Sequence, residues 1–177
     1  AFALASAEVP HLWLHHLGEG ELDADCAQLA RDLSIASRII REPYRSEPLG
    51  FYQALDAMIL TSRYEGLSLA VLESLACDLP VILSEAPGNT DFLSAGLSHI
   101  WSGAKEHPES IAAAIGQWAS DRAKARPCNH RAIAQSRFSK EACFGRILSE
   151  YERALGAKAA PAPQAEEPLA KALPAQL

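Results

Sequence analysis

The stretch "LDAMILTSRYEGLSLAVLESLACDLPVILS" (residues 55–84) restricts the fold more than any other part of the chain. "DAMILTS" and "PVILSE" are short, continuously apolar runs, as strands covered on both faces require. Between them "LSLAVLESLACD" has the length and composition of one helix. Two strands joined by a single helix run parallel, with a right-handed crossover. Pro80 sits at the first position of the second strand, where its missing N–H is tolerated.

The same alternation extends along the chain. "VPHLWLHH" (9–16) reads as a strand closed by the tight turn "GEG", and "ELDADCAQLARDLS" spaces apolar residues helically. "SRIIRE" is a strand stopped by Pro43. "SEPLGFYQAL" is a short helix with Ser46 as its N-cap and Pro48 in its first turn. "PGNTDFLSA" turns into a short helix, "LSHIWSG" is a weak strand, and "PESIAAAIGQWASD" is an amphipathic helix begun by Pro108. Two further helices, "NHRAIAQSRF" and "SKEACFGRILSEYERAL", follow. The predicted fold is a Rossmann-like three-layer α/β/α sandwich with a mainly parallel sheet over residues 1–155. Residues 156–177, rich in Ala and Pro, read as a flexible tail.

Composition narrows the function. The 177 residues are 49% hydrophobic with a net charge of −6. That suits one domain with its own core and gives no basic field for nucleic acid. No apolar run approaches the roughly 18–20 residues of a membrane-spanning helix. The N-terminal stretch lacks the basic flank of a signal peptide. Cys26, Cys77, Cys128 and Cys143 are spread without a CxxC pair, so neither a disulfide framework nor a zinc site is expected. A reduced, cytoplasmic protein follows. "DAD" (23–25) suits a helix start rather than a metal. His11, His15 and His16 form no ligand set, because His16 faces away from the other two on a strand. Trp13, Trp101 and Trp118 read as core or interface.

In open α/β sheets, ligands bind beyond the carboxyl ends of the strands. The loop "RYEG" leads from such an end into a helix. Gly66 and Ser68 are small enough for close approach, and the N–H groups of Ser68, Leu69 and Ala70 make an anion site suited to a diphosphate. Eight residues span about 2.2 helical turns, so Glu65 and Glu73 lie on roughly one face. A carboxylate at Glu73 can accept two vicinal hydroxyls, as a ribose offers. The residues alone leave the alternatives open: Glu65 as an acid favouring the helix dipole, and Glu73 as a surface glutamate.

"EGLSLAVLE", with its two glutamates, followed by "SLACDLPVILS", resembles the donor-site motif of the family-4 (group 1) retaining glycosyltransferases of GT-B fold. "LDAMILTSRYEG", "HLWLHHLGEGELDADCAQLARDL", "APGNTDFL" and "FSKEACFGRILSEYERAL" resemble neighbouring family segments in the right order. The resemblance implies the C-terminal, nucleotide-sugar-binding half of such an enzyme, with no metal or other cofactor. It implies Glu73 on the ribose and Glu65 as the catalytic-site carboxylate on the donor sugar. Gly66, Leu67, Ser68, Leu69 and Ala70 would line the diphosphate and sugar. Arg63, Arg41 and Tyr44 are the candidate phosphate or base contacts, with the base seated in the loop after "RIIRE". The acceptor would be a glycan or glycolipid, served at the inner membrane by the whole protein.

Several positions depart from the family pattern. Asp78 stands for a glycine, and Asp tolerates the left-handed backbone better than most residues. Ser68 stands for another glycine, and its hydroxyl is a candidate phosphate donor. Asp91 stands for a glutamate. The family's first strand of this domain and its N-terminal acceptor domain are expected upstream of Ala1, leaving a sheet edge through which a homodimer could form. The second reading is a non-catalytic binding or interaction domain of the same fold.

Overall fold

The computed structural model describes residues 1–94, 96–122 and 128–156. Residues Ala1–Ser139 form one compact unit, and Lys140 begins a second. The elements are α1 (Phe2–Glu8), β1 (Leu14–Leu17), α2 (Asp23–Asp32), β2 (Ile39–Glu42), α3 (Leu49–Gln53), β3 (Met58–Leu60), α4 (Leu69–Ala76), β4 (Val81–Ser84), α5 (Asn89–Leu93), β5 (Ile100–Gly103), α6 (Pro108–Asp121), α7 (His130–Phe138) and α8 (Lys140–Gly156). A single 3-10 turn, Ala36–Arg38, leads into β2.

Every strand pairing is parallel, as the alternation requires, but the strands form two sheets rather than one. β1 pairs with β2, and β4 lies between β3 and β5. Among the described residues no strand lies between the two sheets. β4 is the central strand and all four of its residues are buried. Its side chains alternate between two cores, as strand geometry dictates. Val81 and Leu83 join Tyr52, Met58, Val71, Leu75, Leu79, Phe92 and Ala134 on the face covered by α4 and α7. Ile82 joins Ala5, Ile111, Ala114, Ile115 and Trp118 on the face covered by α1 and α6. Burying each of these strand residues contributes roughly 1.5–3 kcal/mol. The three layers of the predicted sandwich are thus present around β4.

Local chemistry explains where the elements differ from expectation. β1 starts at Leu14, later than its apolar run suggests, and Trp13 is exposed. Ser46 does not cap α3; Pro48 holds the N-cap position, and no side chain bonds there. Proline offers no N–H and sits readily at a helix start, so the helix begins just after it. Asp78 does adopt the left-handed region, at φ +58°. Its carboxylate also accepts the Arg131 N–H at 2.8 Å, and Arg131 Nε donates to the Ala76 carbonyl at 2.7 Å. The residue standing for a glycine therefore ties the start of α7 to the end of α4. α8, placed with the domain in the sequence reading, has no buried residue. It exposes Phe144, Ile147, Leu148, Tyr151 and Leu155. The expected tail falls, apart from Gly156, outside the described residues.

Candidate functional site

The carboxyl ends of β3 and β4 carry two loops that meet. The first, after β3, holds Ser62 to Ser68; the second, after β4, holds Pro87 and Gly88. The Glu65 N–H donates to the Pro87 carbonyl at 3.0 Å. Gly88 sits at φ +86°, and a Cβ there would lie 2.2 Å from the Glu65 carbonyl oxygen and 2.6 Å from that of Gly66. Only glycine fits both the backbone conformation and the contact. Behind the loops runs a chain of hydrogen bonds. Asn89 Nδ2 donates to the Ser84 carbonyl at 3.1 Å and lies 3.3 Å from Ser84 Oγ. Ser84 Oγ donates to the Ser62 carbonyl at 2.6 Å, and Ser62 Oγ donates to Glu65 Oε1 at 2.6 Å. Asn89 and Ser84 are buried, so this chain sits away from competing water. It sets the half-buried Glu65 carboxylate at the mouth of the loops.

α4 starts here. Ser68 is its N-cap, and Ser68 Oγ accepts the Val71 N–H at 3.4 Å. Ser68 is buried, and its hydroxyl serves the start of the helix as an acceptor. The N–H groups of Leu69 and Ala70, in the first turn of α4, have no acceptor within the helix. Space beside Gly66 is open: a Cβ there would meet nothing within 4 Å. Leu67 and Leu69 are exposed at the rim.

Glu73 projects from α4 one turn beyond Ala70, and its carboxylate is exposed enough to meet a ligand. It is also held. The buried Tyr52 of α3 donates its hydroxyl to Glu73 Oε2 at 2.8 Å. Burial first, and then the Glu73 carboxylate, push the Tyr52 phenol well above its ordinary range, so it remains a donor. Sequence reasoning missed Tyr52, which reaches Glu73 across 21 residues. Replacing Tyr52 by Phe is expected to cost about 1 kcal/mol of stability, because Glu73 loses its anchor. Thermal unfolding checks the effect.

The residues expected at the base and phosphates are not joined to α4 by hydrogen bonds or ion pairs among the described residues. Arg41 pairs with Asp23, and Arg45 with Glu42. Tyr44 is exposed. Arg63 pairs with Glu106 at 2.9 Å, both side chains being well exposed. Such a pair is worth about 0–1 kcal/mol and exchanges readily for another anion. A packed route nevertheless joins the loop after β2 to Glu73. Glu42 bonds His15 at 2.8 Å. The His15 ring meets Phe51 edge-on at 4.8 Å, and Phe51 meets Tyr52 at 5.5 Å.

The sequence pattern of the family described as "Glycosyl transferases group 1" matches residues 1–135. The chain belongs to the group 1 glycosyltransferases. It is 28% identical over 157 residues to the lipopolysaccharide core biosynthesis glycosyltransferase LpsE of Rhizobium meliloti, covering 87% of this chain and 44% of that protein. It is 31% identical over 90 residues to the lipopolysaccharide 1,6-galactosyltransferase of Salmonella typhimurium, covering 48% of this chain and 25% of that protein. Among solved structures, Anabaena Alr3699/HepE in complex with UDP superposes with a TM-score of 0.74 at 21% identity, over 85% of this chain and 44% of that one. Sucrose-phosphate synthase from Thermosynechococcus elongatus gives 0.73 at 22% identity, over 88% and 41%. These likenesses establish the fold, the Rossmann-like half of a GT-B glycosyltransferase. The group 1 chain spans less than half the length of these relatives.

Proposed function

We propose that this group 1 chain is the donor-binding domain of a retaining glycosyltransferase that takes a nucleoside diphosphate sugar. The observation that carries the reading is the α4 N-terminus, set at the carboxyl ends of β3 and β4 between two anchored carboxylates. Glu73, held by Tyr52, accepts the ribose hydroxyls. Glu65, held by Ser62 and the Pro87 carbonyl, accepts hydroxyls of the donor sugar and acts beside the reacting carbon. The diphosphate lies against the N–H groups of Leu69 and Ala70, where the helix dipole offsets its charge. Arg63 leaves Glu106 for the phosphates.

In transfer, the bond between the anomeric carbon and the diphosphate oxygen breaks. The acceptor hydroxyl adds from the same face and passes its proton to the departing diphosphate oxygen, so the configuration is retained. Charge developing on the leaving diphosphate is stabilised by preorganised amides and Arg63. No metal is required at this end of the sheet. The chain alone holds the donor and does not transfer it; the acceptor side belongs to another part of the whole protein. A lipopolysaccharide or related surface glycan is the acceptor class, supported by the lipopolysaccharide glycosyltransferases among the relatives. UDP is the favoured nucleotide, supported by the UDP and UDP-glucose complexes of Alr3699/HepE.

Titration with UDP, GDP and ADP, each with and without an attached sugar, tests the reading by calorimetry. Saturable binding of one nucleotide series, unchanged by added magnesium or by a chelator, is expected. A folded chain that binds none of them would overturn it and leave a non-catalytic interaction domain.

A further inference from the structure

A second cluster lies at the opposite end of the strands. His99 directly precedes β5, and Cys128 and His130 straddle the start of α7. One ligand-capable atom from each of His99, Cys128 and His130 lies within 4.8 Å of the others. These residues sit where β4 and β5 begin, whereas the donor site sits where β3 and β4 end.

His130 is the decisive member. Its side chain is fully buried. Nδ1 lies 2.8 Å from the Leu79 carbonyl, so Nδ1 carries the proton and Nε2 the lone pair. Nε2 is buried and has no hydrogen-bond partner among the described residues. A buried acceptor without a partner costs about 1–3 kcal/mol. A metal-binding histidine is oriented in the same way, with its second nitrogen donating to a carbonyl and fixing the tautomer.

We propose that His99, Cys128 and His130 bind a zinc ion that staples the entry of α7 to the entry of β5. Two imidazoles and a thiolate are a borderline-soft donor set, which selects zinc over magnesium or calcium. Tetrahedral zinc holds such atoms about 3.5 Å apart. The cluster therefore closes by about 1 Å on binding. His99 and Cys128 can supply that movement, being only half-buried and outside regular elements. Zinc displaces the Cys128 thiol proton to solvent as the sulfur–metal bond forms. The fourth position is left to water. The staple closes the chain from residue 99 to residue 128 around α6 and acts on stability, not on transfer.

The test uses the full chain, reduced and stripped with a chelator, then titrated with Co2+ and afterwards Zn2+. One equivalent of Co2+ should bind with a thiolate-to-metal charge-transfer band in the near ultraviolet, and Zn2+ should displace it. Zinc at a hundredfold excess over its Kd should raise the Tm by roughly 5 °C. Cys128→Ser should abolish the band, His99→Gln should weaken binding roughly tenfold or more, and Cys26→Ser should change neither. Both ligand variants replace half-buried side chains, so the metal-free proteins should unfold near the metal-free parent. Absence of a thiolate band in the parent, or its survival in Cys128→Ser, overturns the proposal. Neither outcome touches the donor reading, which is measured by UDP titration.

Discussion

Glu73→Ala is expected to weaken binding of bare UDP by roughly 10- to 100-fold, the loss of about 1.5–3 kcal/mol for hydrogen bonds to a charged group. Glu65→Ala should leave bare UDP nearly unchanged and weaken the sugar-bearing donor by a similar factor. The division follows from position. Glu73 lies along α4, beyond the amides proposed to take the diphosphate, while Glu65 lies ahead of them in the loop. Calorimetric titration of both variants with UDP and with a UDP-sugar gives four affinities. Equal loss of bare UDP in the two variants would refute the assignment. Glu73→Ala should also lower the Tm by a few degrees, because the buried Tyr52 hydroxyl loses its acceptor. A Tm unchanged beside a large loss of UDP affinity would mean that water replaces that acceptor.

Gly88→Ala is expected to be the most damaging single substitution at the site. Its new Cβ would stand 2.2 Å from a backbone oxygen, well inside any real contact, and the backbone is at φ +86°. Rotating a flexible side chain cannot relieve a clash with main chain. Overpacking and a disfavoured φ together cost on the order of 3 kcal/mol, which lowers the Tm by roughly 6–12 °C in a domain of this size. The protein can escape only by parting the two loops, which breaks the bond from the Glu65 N–H to Pro87 and displaces Glu65. Affinity for the sugar-bearing donor should therefore fall at temperatures where the variant is still folded. Differential scanning calorimetry and donor titration at low temperature separate the two consequences. A Tm within a degree of the parent would contradict the contact.

The repeating elements were legible because period and length carry them. "DAMIL" and "PVILS" could hardly be anything but buried strands, and "PESIAAAIGQWASD" places Ile111, Ala114, Ile115 and Trp118 on one face of α6. The left-handed Asp78 was anticipated from the family pattern, which has glycine at that position. Ser68 was legible in principle, since a serine just before an apolar helical run is an N-cap signature. Its reading as a phosphate donor came from the family pattern, which has glycine there. What sequence could not supply was long-range pairing. Tyr52 finds Glu73 across 21 residues, and Ser84 finds Ser62 across 22. His99, Cys128 and His130 match no ordinary metal spacing, because two separate parts of the fold, the entry of β5 and the entry of α7, bring them together. The split into two sheets was equally hidden, since hydrophobic pattern identifies strands and not their neighbours.

That split changes what Tyr52 and Glu73 are. Among the described residues no ladder of backbone bonds joins β1 and β2 to β3, β4 and β5. The halves are bridged by side chains instead. On one face α1 rests on α6 through Ala5 and receives Arg38 from the other half at the Ser6 carbonyl, 3.1 Å away. On the other face the bridge is the file of rings from His15 through Phe51 to Tyr52, ending on the Glu73 carboxylate. Glu73 is therefore a joint between the two sheets as well as the proposed grip on the ligand.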